Sequence, residues 1–168
     1  GRATSGRPSL DHADIDGDGD QDLAVTGQSQ DGEPVTRLYR NEDDTFALMG
    51  SGVIGVDNGS AVVFGDVDSD GDPDLLVSGD FDVGSTGGQT TKLYENGGNG
   101  GFTSVETDLP NVQFSTLALG DADGNGRLDL LIAGLNSDFE ETTRLFEFES
   151  STSTPITESQ GSDREIPD

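Results

Sequence analysis

The chain has 168 residues, only 30% of them hydrophobic, with 25 glycines and no cysteine; this excludes disulfide frameworks, thiolate metal sites and cysteine nucleophiles, and argues for strands joined by tight turns. Its 34 acids against 8 bases give a formal net charge of −26, which excludes nucleic-acid binding through phosphate contacts and makes cations the natural partners. No apolar run is long enough for membrane insertion, and the opening GRATSGRPSL lacks the apolar core of a secretion signal.

The first predicted strand is SLDHA (Ser9–Ala13), followed by the acidic loop DIDGDGDQD from Asp14 to Asp22. A short apolar run, LAVT, then reads as a second strand, because Val and Thr between turn residues favour strands. VTRLYRN (Val35–Asn41) alternates, with Thr36 and Leu38 on one face and Arg37 and Tyr39 on the other. TFALM (Thr45–Met49) closes the unit as a fourth strand.

The same order then recurs. AVVFG (Ala61–Gly65), DVDSDGDPDLLVSG (Asp66–Gly79), TTKLYEN (Thr90–Asn96) and FTSVE (Phe102–Glu106) form a second unit. TLALG (Thr116–Gly120), DADGNGRLDLLIAG (Asp121–Gly134) and TTRLFEF (Thr142–Phe148) form a third, with Ile156 as the candidate for a weak fourth strand. The loop starts lie 52 and 55 residues apart and align without gaps. Four antiparallel strands per repeat of this length predict an all-β fold of propeller blades, about 9–50, 60–107 and 115–149. The near-continuous apolar character of the second strands predicts burial on both faces. Three blades do not close a ring, so the expectation is a part of a larger propeller or an assembly of copies. Residues 150–168 are rich in Ser, Thr and acids and read as a tail or linker.

The loops point to calcium. Five aspartates fall within nine residues at Asp66, Asp68, Asp70, Asp72 and Asp74. Two carboxylates about 4 Å apart repel by about 4 kcal/mol at an effective dielectric near 20. A hard dication reverses that sign, and calcium accepts six to eight oxygens in flexible geometry. Glycine at position 6 (Gly19, Gly71, Gly126) permits the sharp turn. The expected ligands are side chains at positions 1, 3, 5 and 9 and the backbone carbonyl at position 7. These are Asp14, Asp16, Asp18 and Asp22 with the carbonyl of Asp20; Asp66, Asp68, Asp70 and Asp74 with that of Asp72; and Asp121, Asp123, Asn125 and Asp129 with that of Arg127. A backbone ligand explains how Arg is tolerated at Arg127. The third loop carries one acidic ligand fewer and is expected to bind most weakly. Magnesium demands a near-ideal octahedron, and zinc would want His or Cys where only His12 exists. An EF-hand needs Glu at position 12 and flanking helices, whereas position 12 is Val25, Val77 and Ile132 and the flanks are strands.

These residues resemble the FG-GAP/VCBS repeat family, the calcium-binding blades of integrin alpha-subunit propellers and of many bacterial surface proteins. The Asp-x-Asp-x-Asp-Gly-x-x-Asp pattern matches at Asp14, at Asp66 and, with Asn at the fifth position, at Asp121. Leu-Tyr-x-Asn at Leu38–Asn41 and Leu93–Asn96 resembles the bacterial subgroup. The resemblance implies a seven- or eight-bladed propeller in an extracellular or cell-surface setting, where sites of about 10⁻⁴–10⁻³ M would be filled.

The expected function is a non-catalytic binding or adhesion module with a protein or carbohydrate ligand, stabilised by Ca²⁺. The alternative is part of a secreted carbohydrate-active enzyme, such as a polysaccharide lyase. Against it, no catalytic residue is nominated: His12 reads as a packing or surface residue. Tyr39 and Tyr94 repeat in register and read as structural, and Arg37, Lys92 and Arg144 as snorkelling stems with carboxylate partners. Three calcium ions would cancel only six of the 26 net negative charges, so acid enrichment for high salt is a third reading.

Overall fold

Each apolar run bounded by turn residues forms a strand in the computed structural model, which describes residues 7–43, 45–50, 52–82, 88–148 and 157–158. The first sheet is β1 (Ser9–Ala13), β2 (Asp22–Gln28), β3 (Pro34–Glu42) and β4 (Thr45–Leu48), paired antiparallel in chain order. The second is β5 (Asp57–Gly65), β6 (Asp74–Asp80), β7 (Gln89–Asn96) and β8 (Phe102–Val105). The third is β9 (Gln113–Gly120), β10 (Asp129–Leu135) and β11 (Glu141–Glu147), with a two-residue edge strand β12 (Thr157–Glu158) against β11. Among the described residues there is no helix. The weak fourth strand expected near Ile156 is thus Thr157–Glu158, inside the segment read as a tail; Ile156 itself lies outside the described residues.

Register is the same in all three sheets. The leucine after each loop pairs with the aromatic residue of the third strand, as Leu23 with Tyr39, Leu75 with Tyr94 and Leu130 with Phe146. The sheets stack as propeller blades, β5 packing on β1 and β2, and β9 on β5 and β6. Alternation decides which interface each side chain enters. Leu75, Val77, Val62 and Phe64 face the first sheet and join Ile15, Ala24 and Leu38. Leu76 and Leu93 face the third sheet and join Val67, Leu130, Ile132 and Phe146. Burying side chains of this size contributes about 1.5–3 kcal/mol each, so the two apolar interfaces dominate cohesion. Polar seams repeat beside them: Thr26 Oγ1 lies 2.7 Å from Ser60 Oγ, and Ser78 Oγ lies 2.6 Å from Ser115 Oγ.

The prediction that every second strand is buried on both faces holds only for β6, whose seven residues are all buried. In β2, Leu23 and Val25 are half-exposed, and in β10, Leu131 is 44% exposed where its counterpart Leu76 is fully buried. The reason is position in the stack, since only the middle sheet is covered on both sides. Leu10, in the first sheet, and Phe114, at the start of β9, are likewise exposed. The glycine that ends each motif has a geometric cause. At Gly79, with φ +149°, an added Cβ would lie 2.8 Å from the Asp57 carbonyl oxygen, so the close approach of β5 admits no side chain.

Candidate metal centre

The three acidic loops each join the first and second strands of a sheet, at the same end of the stack. Short acidic side chains accept hydrogen bonds from nearby amides, and the position-1 aspartate organises each turn this way. Asp14 accepts from the amides of Gly17, Asp18 and Gly19 at 2.8–3.1 Å. Asp66 accepts from Asp70 and Gly71, and Asp121 from Gly124, Asn125 and Gly126. Position 5 then accepts from position 7: Asp18 from Asp20, Asp70 from Asp72, and Asn125 from Arg127. The position-6 glycines have φ of +98°, +100° and +87° at Gly19, Gly71 and Gly126, a region L side chains avoid.

This folding draws carboxylates together. Oxygens of Asp14, Asp16 and Asp18 lie within 4.8 Å of one another, as do those of Asp66, Asp68 and Asp70, and those of Asp121, Asp123 and Asp129. Asn125 turns its amide nitrogen to Asp123 Oδ2 at 3.0 Å. Position 9 differs between loops. The buried Asp22 accepts from the amides of Ile15 (3.0 Å) and Asn41 (2.7 Å), and Asp74 from those of Val67 and Asn96 (3.0 Å each). Neither joins the three-carboxylate group of its loop. These aspartates tie the loop to the third strand of their own sheet, a role the ligand pattern alone did not reveal.

Charge in the second loop is poorly accommodated by protein atoms alone. Burial pushes the Asp74 carboxyl up to about 7, against the lowering effect of the Asn96 and Val67 amides. Asp68 is also raised, by burial first and then by the charges of Asp70, Asp66 and Glu95. Asp121 is lowered by the amide of Gly126 foremost. A dication fits such a set. The more specific sign is an oxygen left over. Asp129 is 2% exposed; its Oδ2 accepts from Ala122, while its Oδ1 is buried without a hydrogen-bond partner among the described residues. Asp16 Oδ1 is buried and unpartnered in the same sense. A buried carboxylate oxygen lacking a donor is costly, and both belong to the convergent groups.

The geometry repeats over strand, acidic loop and strand, with the turn glycine in place. Residues 14–77 match the FG-GAP-like repeat. The FG-GAP-like span takes in both five-aspartate loops and ends within β6. The third sheet lies beyond it and repeats the same strand order and turn. No curated protein matches the chain.

Residues outside the ligand pattern link the FG-GAP-like loops to neighbouring sheets. Asn96 Nδ2 donates to the Ile15 carbonyl at 2.8 Å and to the Pro73 carbonyl at 3.2 Å, so it bridges the first two loops. Arg40 Nε lies 2.9 Å from Asp16 Oδ2, and its Nη2 donates to the Asn99 carbonyl at 3.1 Å. The recurrence of Asn41 and Asn96 in Leu-Tyr-x-Asn was the visible signal for the first; nothing in the sequence pattern marked the second. His12 is exposed with Nδ1 2.9 Å from Gln21 Oε1. Tyr94 is structural, its hydroxyl accepting from the Ile54 amide at 3.0 Å. Lys92 Nζ sits 3.6 Å from Glu106.

Proposed function

We propose that this chain is a calcium-stabilised, non-catalytic binding or adhesion module that works outside the cell. The observation that carries the reading is Asp129: a buried carboxylate with one unpartnered oxygen, grouped with Asp121 and Asp123 in a turn that occurs three times. The ligand sets are Asp14, Asp16 and Asp18; Asp66, Asp68 and Asp70; and Asp121, Asp123 and Asp129. The carbonyls of Asp20, Asp72 and Arg127 supply further oxygens. Asp22 and Asp74 hold the loops against the third strands, and their oxygens keep lone pairs that can also face an ion.

Oxygen-only donors suit calcium over zinc, and the number of carboxylates suits it over magnesium. Bound calcium would offset the repulsion within each loop and fix the turn between the first two strands of a blade. An ion that binds only the folded chain stabilises it by mass action. Extracellular calcium would fill sites of about 10⁻³ M, which supports a setting outside the cell. The repeated framework, in which the exposed His12 contacts Gln21 and the in-register Tyr94 is structural, supports a binding role over catalysis. Its ligand would be a protein or a carbohydrate, and the open end sheets would be met by further blades or other copies.

The test is calorimetric titration of the calcium-stripped chain with CaCl₂, MgCl₂ and ZnCl₂. The expected result is saturable calcium binding that is lost when Asp14, Asp66 and Asp121 are changed to Asn together. Equal heats for magnesium, or calcium binding untouched by those changes, would refute the assignment.

A further inference from the structure

The residue after the aromatic position of the third strand holds the same place in each sheet. Pairing of Leu23 with Tyr39, and of Leu75 with Tyr94, makes Arg40 of the first sheet the counterpart of Glu95 in the second. The loops beside them have the same five aspartates, yet these neighbours carry opposite charge. Arg40 Nε contacts Asp16 Oδ2 at 2.9 Å, leaving Asp16 Oδ1 unpartnered. Glu95 holds that same place in β7, in the sheet of the second loop, where the residue equivalent to Asp16 is Asp68. Arg40 is also held from the far side, through the carbonyl of Asn99 in the turn between β7 and β8. With Arg40 Nη2 3.3 Å from where a Gly100 Cβ would stand, that turn closes over the guanidinium.

We infer that Arg40 and Glu95 rank the two five-aspartate loops: Arg40 is a built-in counter-cation that makes the first loop the weaker calcium site, and Glu95 makes the second the stronger. This rests on the reading of the loops as calcium sites. Arg40 neutralises one carboxylate of the first group and repels an entering dication. Glu95 does the reverse at the second. Even with the screening of bulk water, a unit charge about 4 Å from another shifts an equilibrium about fivefold. Filling is therefore stepwise, second loop before first, although their motifs look equal.

The position-6 glycines report each loop separately. Amide resonances of Gly19, Gly71 and Gly126 in the ¹⁵N-labelled full chain would be followed as CaCl₂ is added to the calcium-stripped protein. Gly71 is expected to saturate at a concentration at least about fivefold below Gly19. Arg40→Gln should lower the Gly19 midpoint about fivefold or more and leave Gly71 in place. Glu95→Gln should raise the Gly71 midpoint, and Arg40→Lys, which keeps the charge, should preserve the original order. A shared midpoint for Gly19 and Gly71, or an Arg40→Gln chain whose first loop binds no better, overturns the ranking alone. If no loop amide moves with calcium, the calcium reading falls and the ranking with it. Unchanged Gly126 behaviour in every variant verifies that the fold is intact.

Discussion

Changing Asn96 to Ala isolates the bond between blades. The side chain is 3% exposed and makes three hydrogen bonds: Nδ2 to the Ile15 and Pro73 carbonyls, and Oδ1 from the Gly98 amide at 3.1 Å. At about 0.5–1.5 kcal/mol net each, their removal costs about 2–4 kcal/mol, including the cost of buried groups left without partners. For a chain of this size that lowers Tm by about 5–12 °C. Asn41 occupies the same place in the first sheet, but its Oδ1 has no hydrogen-bond partner among the described residues. Asn41→Ala should therefore cost under about 1 kcal/mol. Both variants keep the backbone amide that binds Asp22 or Asp74. Thermal unfolding followed by circular dichroism at saturating calcium measures the difference. Equal Tm losses for the two variants would show that the motif asparagine acts within its own sheet, and the bridge to Ile15 would carry no weight.

Chelation with EGTA should lower Tm, and calcium should restore it, since an ion at 100 times its Kd contributes about 2.7 kcal/mol per site; an unmoved Tm would end the stabilising role. Gly71→Ala should destabilise by about 1 kcal/mol or more and weaken calcium binding, because φ there is +100° although no atom lies within 4 Å of the added carbon. Gly50→Ala, which has the same open space without that φ, serves as the control and should match the parent. Leu76→Ala should cost about 2–5 kcal/mol, whereas Leu131→Ala, at the same repeat position on an open face, should cost under about 1 kcal/mol. Urea unfolding separates these two, and similar losses would mean that the outer face of the third sheet is covered in solution.

The strands and turns were legible in the sequence because both are local. LAVT, LLVS and LLIA sit between turn residues, and glycine at position 6 announces a backbone that other residues avoid. The start of β5 was not legible: Asp57–Ser60 precedes the apolar run, enters the sheet across a register shift, and bends at Gly59 with φ +69°. In every loop the carboxylate oxygens of positions 1 and 3, named together by the ligand pattern, lie within 4.8 Å of each other. The pattern could not tell that Asp22 and Asp74 have both oxygens engaged by amides, because Asn41 and Asn96 lie 19 and 22 residues further on. Burial was also beyond local reading. Leu76 and Leu131 both follow Asp-Leu at the same repeat position, and the presence of a neighbouring sheet separates them. Arg40 was hidden for a similar reason, its contact with Asp16 spanning two strands of one sheet and a turn of the next.

The alternation that sends Leu75 and Val77 one way and Leu76 the other gives the stack a direction. Each interface is written half by one repeat and half by its successor, so the two halves must match in shape. The small Ala24 shares the first interface with the bulky Phe64, while the larger Leu76 shares the second with Leu119. A recombinant chain joining the first repeat directly to the third would set a short side chain against a medium one. Although every repeat is intact, such a splice would leave a void at the new seam, and repeats that look interchangeable as sequences are therefore not interchangeable as neighbours.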